Sequence, residues 1–365
     1  MPSATLPSGV LPDAAEVTLT GHRSVKRVYE LVDRDGGVIE TLDGCKGASL
    51  QQVANSTLKR GGRAAITDVG QDIDWLTARI KASYEIEGYG SWGLGVFLPS
   101  VPTEQWSGGV RRWDAELLDV ATVLSEATVE SGYSLDAGQV ATDAIRALIT
   151  DAGETSIAVT DSDKTLTTPR VWEPGETILS IINQLCDSIG YFALASDGDG
   201  RLAADPYIRP ADRPISWEFL DGANCIYVGD FTREQDLYKV PNHQQARTRG
   251  TGDEPGLVVN VYNDDPDSPF SRANRGRTIS GEVIETYATD LDALTTLARR
   301  VLLTRTLPTS TIVIDAMPVP RDVNAAVTFR STPAGIDGRH VVSRIVYGAN
   351  DTDLARYTLN KVVDV

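Results

Sequence analysis

The stretch Trp172–Tyr207, WEPGETILSIINQLCDSIGYFALASDGDGRLAADPY, decides the fold because its signals follow one another in a defined order. Pro174 suits a first helical turn, where its missing N–H costs nothing, and Glu173 and Glu176 suit the positive end of the helix dipole. Gly190 is a helix terminator. Between them runs an apolar stripe of helical period, made of Ile178, Ile181, Ile182, Leu185 and Ile189. The stretch therefore predicts a helix over about 175–189.

The second half of this stretch has the pattern of a hairpin. An apolar run over 191–195 precedes Asp197-Gly198-Asp199-Gly200, and 201–204 returns as a second strand, so we predict a hairpin over about 191–205. A calcium loop is the alternative, because Asp-rich turns supply hard oxygen ligands. That loop needs a ligand at its fifth position and a Glu at its twelfth. Counted from Asp197, these positions hold Arg201 and Ile208, so the pattern favours a plain turn.

Composition excludes several classes of protein. The chain has 365 residues, 41% hydrophobic and 23% charged, as in ordinary globular proteins, and its length predicts two to three domains. A net charge of −17 argues against tight binding to nucleic acid. We expect no membrane span and, from the start MPSATLPSGVLP, no secretory signal. Cys45, Cys186 and Cys225 form no CxxC pair and indicate free thiols, with Cys186 on or beside the apolar helix face.

The remaining pattern predicts a mainly β chain with α/β parts. Strand-like segments with Gly and Pro between them occupy 26–32, 38–42, 64–67, 84–87, 94–98 and 111–118, with a short helical or turn insert at 73–80. Asp136 and Gln139 have capping-box spacing before a helix over about 138–151. We therefore predict an antiparallel β-barrel or sandwich domain over 1–119 with an extended N-terminal arm, a small α/β domain over 120–214 and a second β domain over 215–365.

The second β domain is predicted to hold an inserted segment over about 240–305. Its stretch 251–290 is acidic, with eight carboxylates against three arginines. A helix over 291–303 follows, with an inward face of Leu291, Leu294, Ala298, Val301 and Leu302. Strands are then expected at 311–316, 326–329, 340–347 and 357–363.

Catalytic, cofactor and metal signals are weak throughout. His22, His243 and His340 are far apart, and no GxSxG, SxxK or HExxH motif nominates a nucleophile or a metal. Because His340 opens an apolar strand, we assign it a structural role. Gly88–Gly93 matches the spacing of a dinucleotide loop but runs into a strand instead of a helix, so it does not predict a cofactor. We predict no catalytic, cofactor-binding or metal-binding residues.

Two residue groups leave an alternative open. Trp92, Trp106 and Trp113 form either a sugar platform or, more simply, packing within the first β domain. Asp264, Asp265 and Asp267 form either a cation site or a solvated acidic loop, which we favour.

Several blocks, in a consistent order, carry a resemblance to a known family. They are Tyr29–Gly36, Asp72–Ile80 with the sequence DIDWLTARI, Gly95–Ser100, Trp172–Tyr207, Thr232–Asp236 leading to Val240–Asn242, Asp265–Phe270 and the closing strands from Thr311 to Val365. The chain resembles the minor tail proteins of actinobacterial siphophages that form the tail-tip hub. These are similar in architecture to the hub of contractile-phage baseplates and to the N-terminal part of tail-associated lysins.

The resemblance implies a structural virion protein, made in the host bacterial cytoplasm and carried at the tail tip. It implies a homotrimer of subunits with two tail-tube-like β domains each, whose pseudo-sixfold ring adapts a sixfold tail tube to a threefold tip. Expected partners are the distal tail or tail-tube protein above, other minor tail proteins, a spike or fibre below, and the tape measure protein. DNA would pass through the lumen without specific binding, and an acidic wall would reduce its adhesion.

Two other classes compete with this hypothesis. A tail-associated cell-wall hydrolase would need a carboxylate in an apolar pocket, a His/Cys site or a zinc site, and the sequence nominates none. A receptor-binding adhesin would need a carbohydrate platform. Because the chain ends near its last predicted strand, we expect no appended lysin or fibre domain and no enzymatic activity.

Overall fold

The computed structural model describes residues 19–87, 90–234, 238, 240–248, 256–286, 291–306 and 310–362. The first β unit contains β1 Val25–Val32, β2 Val38–Thr41, β3 Cys45–Val53, β4 Arg60–Thr67, β5 Arg79–Ile86, β6 Gly90–Ser107 and β7 Val110–Asp119. The predicted insert at 73–80 is a turn over residues 75–77 that leads directly into β5.

The α/β region and the remainder of the chain follow in order. The α/β region contains α1 Thr122–Glu126, β8 Tyr133–Leu135, α2 Ala141–Asp151, β9 Ile157–Val159, β10 Arg170–Trp172, α3 Ile178–Ile189, β11 Ala195–Ser196 and β12 Leu202–Ala204. The remainder contains β13 Ile215–Phe219, β14 Thr232–Glu234, β15 His243–Thr248, β16 Val258–Tyr262, α4 Arg272–Arg275, β17 Ile284–Thr286, α5 Leu291–Thr306, β18 Thr311–Ala316, β19 Ala326–Ser331, β20 Ile336–Tyr347 and β21 Ala355–Lys361.

Two long strands organise the β structure. The first part of β6 pairs with β5 and its second part with β7, while β20 pairs first with β19 and then with β21. The end of β20 also pairs with β3, through Arg344–Tyr347 opposite Leu50–Val53. This pairing joins both β units into a 13-stranded sheet that runs from β14 at one end to β2 at the other. The prediction of a mainly antiparallel β chain with α/β parts is confirmed.

The two β units also share one hydrophobic core. Alternating side chains of β1 and β3–β6 meet those of β13 and β18–β21 in a single cluster. Its largest fully buried members come from both units and include Tyr84, Phe97, Phe219, Phe329 and Tyr357. Because sheet and core are both continuous, the β units are packed against each other as one body.

Helix α3 forms where the apolar stripe predicts it, but it begins at Ile178. Thr177 is its N-cap, with the side-chain oxygen accepting a hydrogen bond from the Ser180 N–H at 3.2 Å. Pro174 and Gly175 lie in a turn before that cap, so the assignment of Pro174 to the first helical turn is wrong. Gly190 ends the helix in the left-handed conformation, with φ of 75°. All five residues of the stripe are buried.

Helix α2 begins at Ala141, later than the capping-box spacing predicts. Val140 is its N-cap and makes no side-chain cap bond. The Gln139 side chain accepts a hydrogen bond from the Asp136 N–H at 2.9 Å. That contact closes a turn ahead of the helix, because residues 138–140 are held by backbone bonds to the segment at Lys164–Leu166.

The hairpin after α3 is shorter than its apolar run predicts. β11 begins at Ala195, because Tyr191 and Leu194 are buried in the core of the α/β region. The Asp197–Gly200 turn forms as predicted, and β12 returns. β12 also pairs in parallel with β9, a contact that no local pattern indicated.

The segment between β14 and β18 leaves the large sheet and returns to it, since these two strands pair with each other. Within it, β15 pairs with β16 and β17, and α5 covers this small sheet through Leu294, Ala298 and Leu302. The prediction that Leu291 faces inward is wrong, since its side chain is 55% exposed, and Val301 is only half-buried.

The inward face of α5 differs from the prediction because the helix has neighbours on two sides. Leu297 faces a cavity shared with α3, and Arg300 reaches the Asp187 carboxylate and the Tyr191 carbonyl of the α/β region. A single inward stripe therefore does not describe its buried surface. Across the described ranges, no helix is long and apolar enough to cross a membrane.

Candidate assembly surface

The β6–β7 hairpin extends to a tip at which only these two strands pair with each other. Ser107 and Val110 are opposite each other, and the loop between them is Gly108-Gly109. Both glycines have positive φ, 59° and 78°, which is the requirement of a two-residue hairpin turn that matches strand twist. Among the described residues, no atom lies within 4 Å of a Cβ placed on either glycine, so the tip is not packed against that part of the chain.

A stack of aromatic rings and one guanidinium orders this tip. Arg111 lies 4.7 Å from the ring centroid of Trp113 and 5.7 Å from that of Trp106. Trp75 meets Trp113 edge-on, with 5.5 Å between centroids. Asp68 accepts a hydrogen bond from Arg111 Nε at 2.9 Å and is ion-paired with Nη2 of the same guanidinium at 2.8 Å. Hydrogen bonds from the Gly70 N–H and from Arg111 hold the pKa of Asp68 below its usual range. Trp106 therefore packs against Arg111, whose guanidinium is held by Trp113 and Asp68.

Four large apolar side chains around this stack are exposed. They are Val69 at 54%, Leu76 at 94%, Trp106 at 66% and Val110 at 41% exposed. Val69 follows Asp68, whose N–H donates to the Arg111 carbonyl, and Leu76 follows Trp75. We call these four residues the tip patch. Their chain neighbours Asp68, Trp75 and Arg111 belong to the stack, which places the four residues around the same hairpin, and exposed apolar groups near one another are candidates for a contact site.

The main path of the large sheet ends at β2 and β14, which are edge strands in the described chain, and a side branch through β19 ends at β13. β2 carries exposed Val38 and Ile39, at 57% and 59%, and β14 is exposed along its whole length. Edge strands present backbone N–H and C=O groups to any further strand, and soluble proteins usually guard them with charge. The apolar side chains on β2 make this edge a candidate for pairing.

The outward face of the same sheet is polar and nearly balanced in charge. Arg356 is paired with Asp315 at 2.8 and 3.0 Å, and Arg63 is opposite Glu116 in the β4–β7 register. Arg344 bonds the Gln51 side chain across β20 and β3.

The Asp/Gly turn and the glycine motif of the sequence meet each other in the structure. A Cβ on Gly93 would lie 2.1 Å from the Gly198 carbonyl oxygen, and one on Gly198 would lie 2.3 Å from the Gly93 oxygen. Lys81 of β5 adds an ion pair to Asp199 at 3.7 Å. These glycines allow two backbones to touch where the α/β region packs on the first β unit. Residues 88 and 89 of the motif lie outside the described residues.

Two buried arginines strengthen the same junction. Arg60 donates to the carbonyls of Leu94 and Ser196 and to the Asp322 carboxylate, at 2.8, 3.1 and 2.8 Å, and so connects all three parts of the chain. Arg79 makes a two-bond pair with Glu154, at 2.6 and 2.9 Å, in which both side chains are buried. This geometry fixes the α/β region relative to the tip patch.

The structure separates the three tryptophans that the sequence grouped together. Trp113 is buried and Trp92 packs on Tyr84 at 4.8 Å between centroids, as expected for packing in the first β unit. The same expectation is wrong for Trp106, because the hairpin carries it beyond the core. Trp106 and Trp113 come together around Arg111, whereas Trp92 lies on the part of β6 that pairs with β5.

The other predicted groups have local partners. His340 is buried, donates from Nδ1 to the Gly338 carbonyl at 2.9 Å, and has its pKa lowered by that burial. Asp264 is paired with Arg272 at 2.6 and 2.7 Å, and the Asp265 carboxylate accepts from the Asp267 N–H. Within the described ranges, no three His, Cys, Asp or Glu side chains are grouped as metal ligands.

Sequence reasoning missed the tip patch. Val69, Leu76 and Val110 are ordinary apolar residues in strand-rich sequence, and nothing local shows that their side chains face solvent. The Gly108-Gly109 pair is the signal that would have located the hairpin tip between them.

Comparisons with known proteins connect this architecture to phage tails. No family model matches the chain, and no curated protein matches it in sequence. Among solved structures, a tail protein from Neisseria meningitidis MC58 has a TM-score of 0.66 at 16% identity, covering 91% of this chain and 96% of that one. A 43 kDa tail protein of prophage MuSo2 from Shewanella oneidensis has a TM-score of 0.64 at 12% identity, covering 93% and 98%.

A third likeness is to prophage tail protein gp18 from Listeria monocytogenes EGD-e, with a TM-score of 0.57 at 10% identity, covering 92% of this chain and 94% of that one. The likeness in all three cases spans the first β unit, the α/β region and the second β unit together. The chain has the fold of these phage tail proteins over nearly its full length.

Proposed function

We propose that this chain is a structural protein of a phage tail tip, a hub subunit that forms a homotrimeric ring. The observation that carries the proposal is the fold shared with three phage tail proteins over at least nine-tenths of each chain. The exposed tip patch and sheet edges support it, because they are surfaces that an isolated protein would leave in water. An assembly role of this kind requires no catalytic group.

The ring is proposed to close through the sheet edges. β2 and β14 are at opposite ends of the main path of one sheet, so a contact between β2 of one subunit and β14 of the next is heterologous, and it gives a ring when the rotation from one subunit to the next closes. Three copies with two β units each give six units around the ring. We propose residues 1–119, 120–214 and 215–365 as the parts of each subunit, with DNA passing through the lumen.

The tip patch is proposed to contact a neighbour along the tail axis. A sheet edge offers its hydrogen bonds perpendicular to the strands, whereas a hairpin tip projects along the strand direction, so the two surfaces are suited to different contacts. The proposed neighbours are the distal tail or tail-tube protein above, other minor tail proteins and a spike or fibre below, and the tape measure protein. The virion tail tip, and the actinobacterial siphophage as its source, belong to the same proposal.

Native mass measurement of the purified chain, alone and with neighbouring tail proteins, tests this division of surfaces. We expect the wild type to form trimers and Ile39→Lys to lose them. Trp106→Ser should still form trimers but should no longer bind the neighbouring protein along the tail axis. Val171→Lys is the matched control, since Val171 is 71% exposed on β10, which belongs to a separate two-stranded sheet with β8, and this variant should assemble as the wild type does.

Two results contradict the proposal. A strict monomer at every concentration and in the presence of the neighbouring tail proteins removes the ring. Trimers of undiminished stability in Ile39→Lys remove the edge-to-edge contact, even if the chain is a tail protein.

A further inference from the structure

A hydrogen-bonded chain of polar side chains lies on the outer face of the small sheet formed by β15, β16 and β17. His243 Nδ1 is 2.8 Å from Ser280 Oγ, and His243 Nε2 is 3.0 Å from Asn260 Oδ1. These three residues are separated by 17 to 37 positions, so only the fold brings them together. A nucleophile, a base and an orienting group within hydrogen-bond reach are the components of nucleophilic catalysis.

The partners of the imidazole define its tautomer. Asn260 Oδ1 faces His243 Nε2 and also accepts a bond from the Gln245 side-chain amide at 3.2 Å. Because an amide oxygen can only accept, this assignment of the Asn260 amide places the imidazole proton on Nε2 and leaves Nδ1 as the acceptor. The Ser280 hydroxyl then donates to Nδ1, as a nucleophile does to its general base.

The ring plane of His243 is also held from one side. Tyr262 stacks on it with 4.6 Å between centroids and 16° between planes. Arg272 lies over Tyr262 at 3.9 Å and is paired with Asp264. The stacked Tyr262 covers one face of the imidazole, while the bonds to Ser280 and Asn260 set which ring nitrogen faces which residue.

A shallow cavity of about 410 Å³ adjoins the serine, lined by Tyr238, Arg277, Thr278, Ile279 and Ser280. Arg277 lies over the Tyr238 ring at 5.2 Å, and within the described ranges no carboxylate pairs with it. The backbone of residues 279–281 is hydrogen-bonded to the start of β15: the Ile279 carbonyl accepts from the His243 N–H, and the Gly281 N–H donates to the His243 carbonyl. The Ser280 N–H lies outside that ladder and is available to a developing oxyanion.

We propose that Ser280, His243 and Asn260 form an esterase site for small acyl esters that carry an anionic group. Ser280 Oγ forms a bond to the ester carbonyl carbon while its proton passes to His243 Nδ1. The tetrahedral intermediate expels the alcohol, which takes that proton. Water, deprotonated by Nδ1, then attacks the acyl carbon and releases the carboxylic acid, and the proton returns to Ser280. Arg277 binds the anionic group of the ester. Asn260 positions the imidazole through a hydrogen bond but, being neutral, does not offset the positive charge that the imidazole takes on.

The full chain is tested with a fluorophosphonate probe, followed by mass spectrometry of its peptides, and with 4-nitrophenyl acetate and 4-nitrophenyl hemisuccinate as substrates. We expect a label on Ser280 and ester turnover that falls about 100-fold in Ser280→Ala and in His243→Gln, the range for loss of a nucleophile or base. Arg277→Gln should lower turnover of the hemisuccinate about tenfold more than that of the acetate.

Ser134→Ala is the matched control, because Ser134 is exposed on β8 and has no role in this network. It should keep both labelling and turnover, and thermal melting of each variant separates loss of the site from loss of the fold. Absence of a label on Ser280 at saturating probe, or equal labelling in His243→Gln, overturns the proposal and leaves the network as a link between strands. Neither result bears on assembly of the ring.

Discussion

Removal of the Glu154 carboxylate is expected to loosen the α/β region from the β body. Glu154 and Arg79 are both buried, with side chains 2% and 8% exposed, and their two hydrogen bonds of 2.6 and 2.9 Å have good geometry. In Glu154→Ala the Arg79 guanidinium stays buried without its carboxylate. Breaking a buried pair in this way costs about 3–5 kcal/mol of the free energy of unfolding.

The contribution of the pair itself is smaller than that cost, and a double variant separates the two. Arg79→Met with Glu154→Leu removes both charges and fills the space with apolar atoms, so it should recover most of the lost stability. Asp337→Ala breaks an exposed pair with Arg330, and the expected loss there is about 0–1 kcal/mol.

The assay is a urea titration followed by circular dichroism, with hydrogen exchange of peptides covering residues 141–159 as the local readout. Exchange in these peptides should rise in Glu154→Ala and return towards the wild-type rate in the double variant. A loss in Glu154→Ala no larger than that in Asp337→Ala would refute the reasoning, because the pair would then not be holding the two regions together.

Three further outcomes are expected. Gly190→Ala should lose about 1–2 kcal/mol of unfolding free energy by urea titration, because φ is 75° there, a conformation that strains any residue with a Cβ. The added Cβ itself meets ordinary space, since among the described residues the nearest atom is the Lys164 Nζ at 3.9 Å. Burial raises the pKa of Cys186 to about 12 and of Cys45 to about 11, so iodoacetamide at pH 8 should modify Cys225 first in the native chain. Burial lowers the pKa of His340 in the folded chain, whereas in the unfolded chain it is about 6.5, so just below pH 6.5 the unfolded chain binds more protons than the folded one. The free energy of unfolding should therefore fall as the pH drops through about 6.5, and His340→Gln should make this dependence on pH less steep.

Much of the architecture is readable from local pattern. The stripe of Ile178 to Ile189 and the stop at Gly190 define α3, because helical period and left-handed glycine are properties of neighbouring residues. Many strands of the two β units were also predicted, since alternation and turn residues act over a few positions, but β3 at Cys45–Val53 was missed. The start of α3 was misplaced by the Pro174 signal, although Thr177 is a good N-cap residue at the correct position.

The candidate surfaces needed the fold. Trp106 and Trp113 have the same side chain and lie on the two strands of one hairpin, yet one is 66% exposed and the other 7%. The difference arises because the hairpin extends past the core between them. Ser280, His243 and Asn260 carry no shared motif, and their contact depends on the register of β15 with β16 and on one bridge to Ser280.

The amino-acid sequence by itself determined the mainly β character, the helices of the α/β region and the order of the parts, because these follow from propensity and periodicity over short windows. Only the tertiary structure decided that β20 pairs with β3 to join the two β units, that Gly93 and Gly198 touch, and that the tip patch faces solvent. The strand pairing and the glycine contact join residues that are about 100 to 300 positions apart in sequence. The exposure of the tip patch depends on where the packed core ends. Such contacts are stabilised by many other contacts throughout the fold, so a short window of sequence does not predict them.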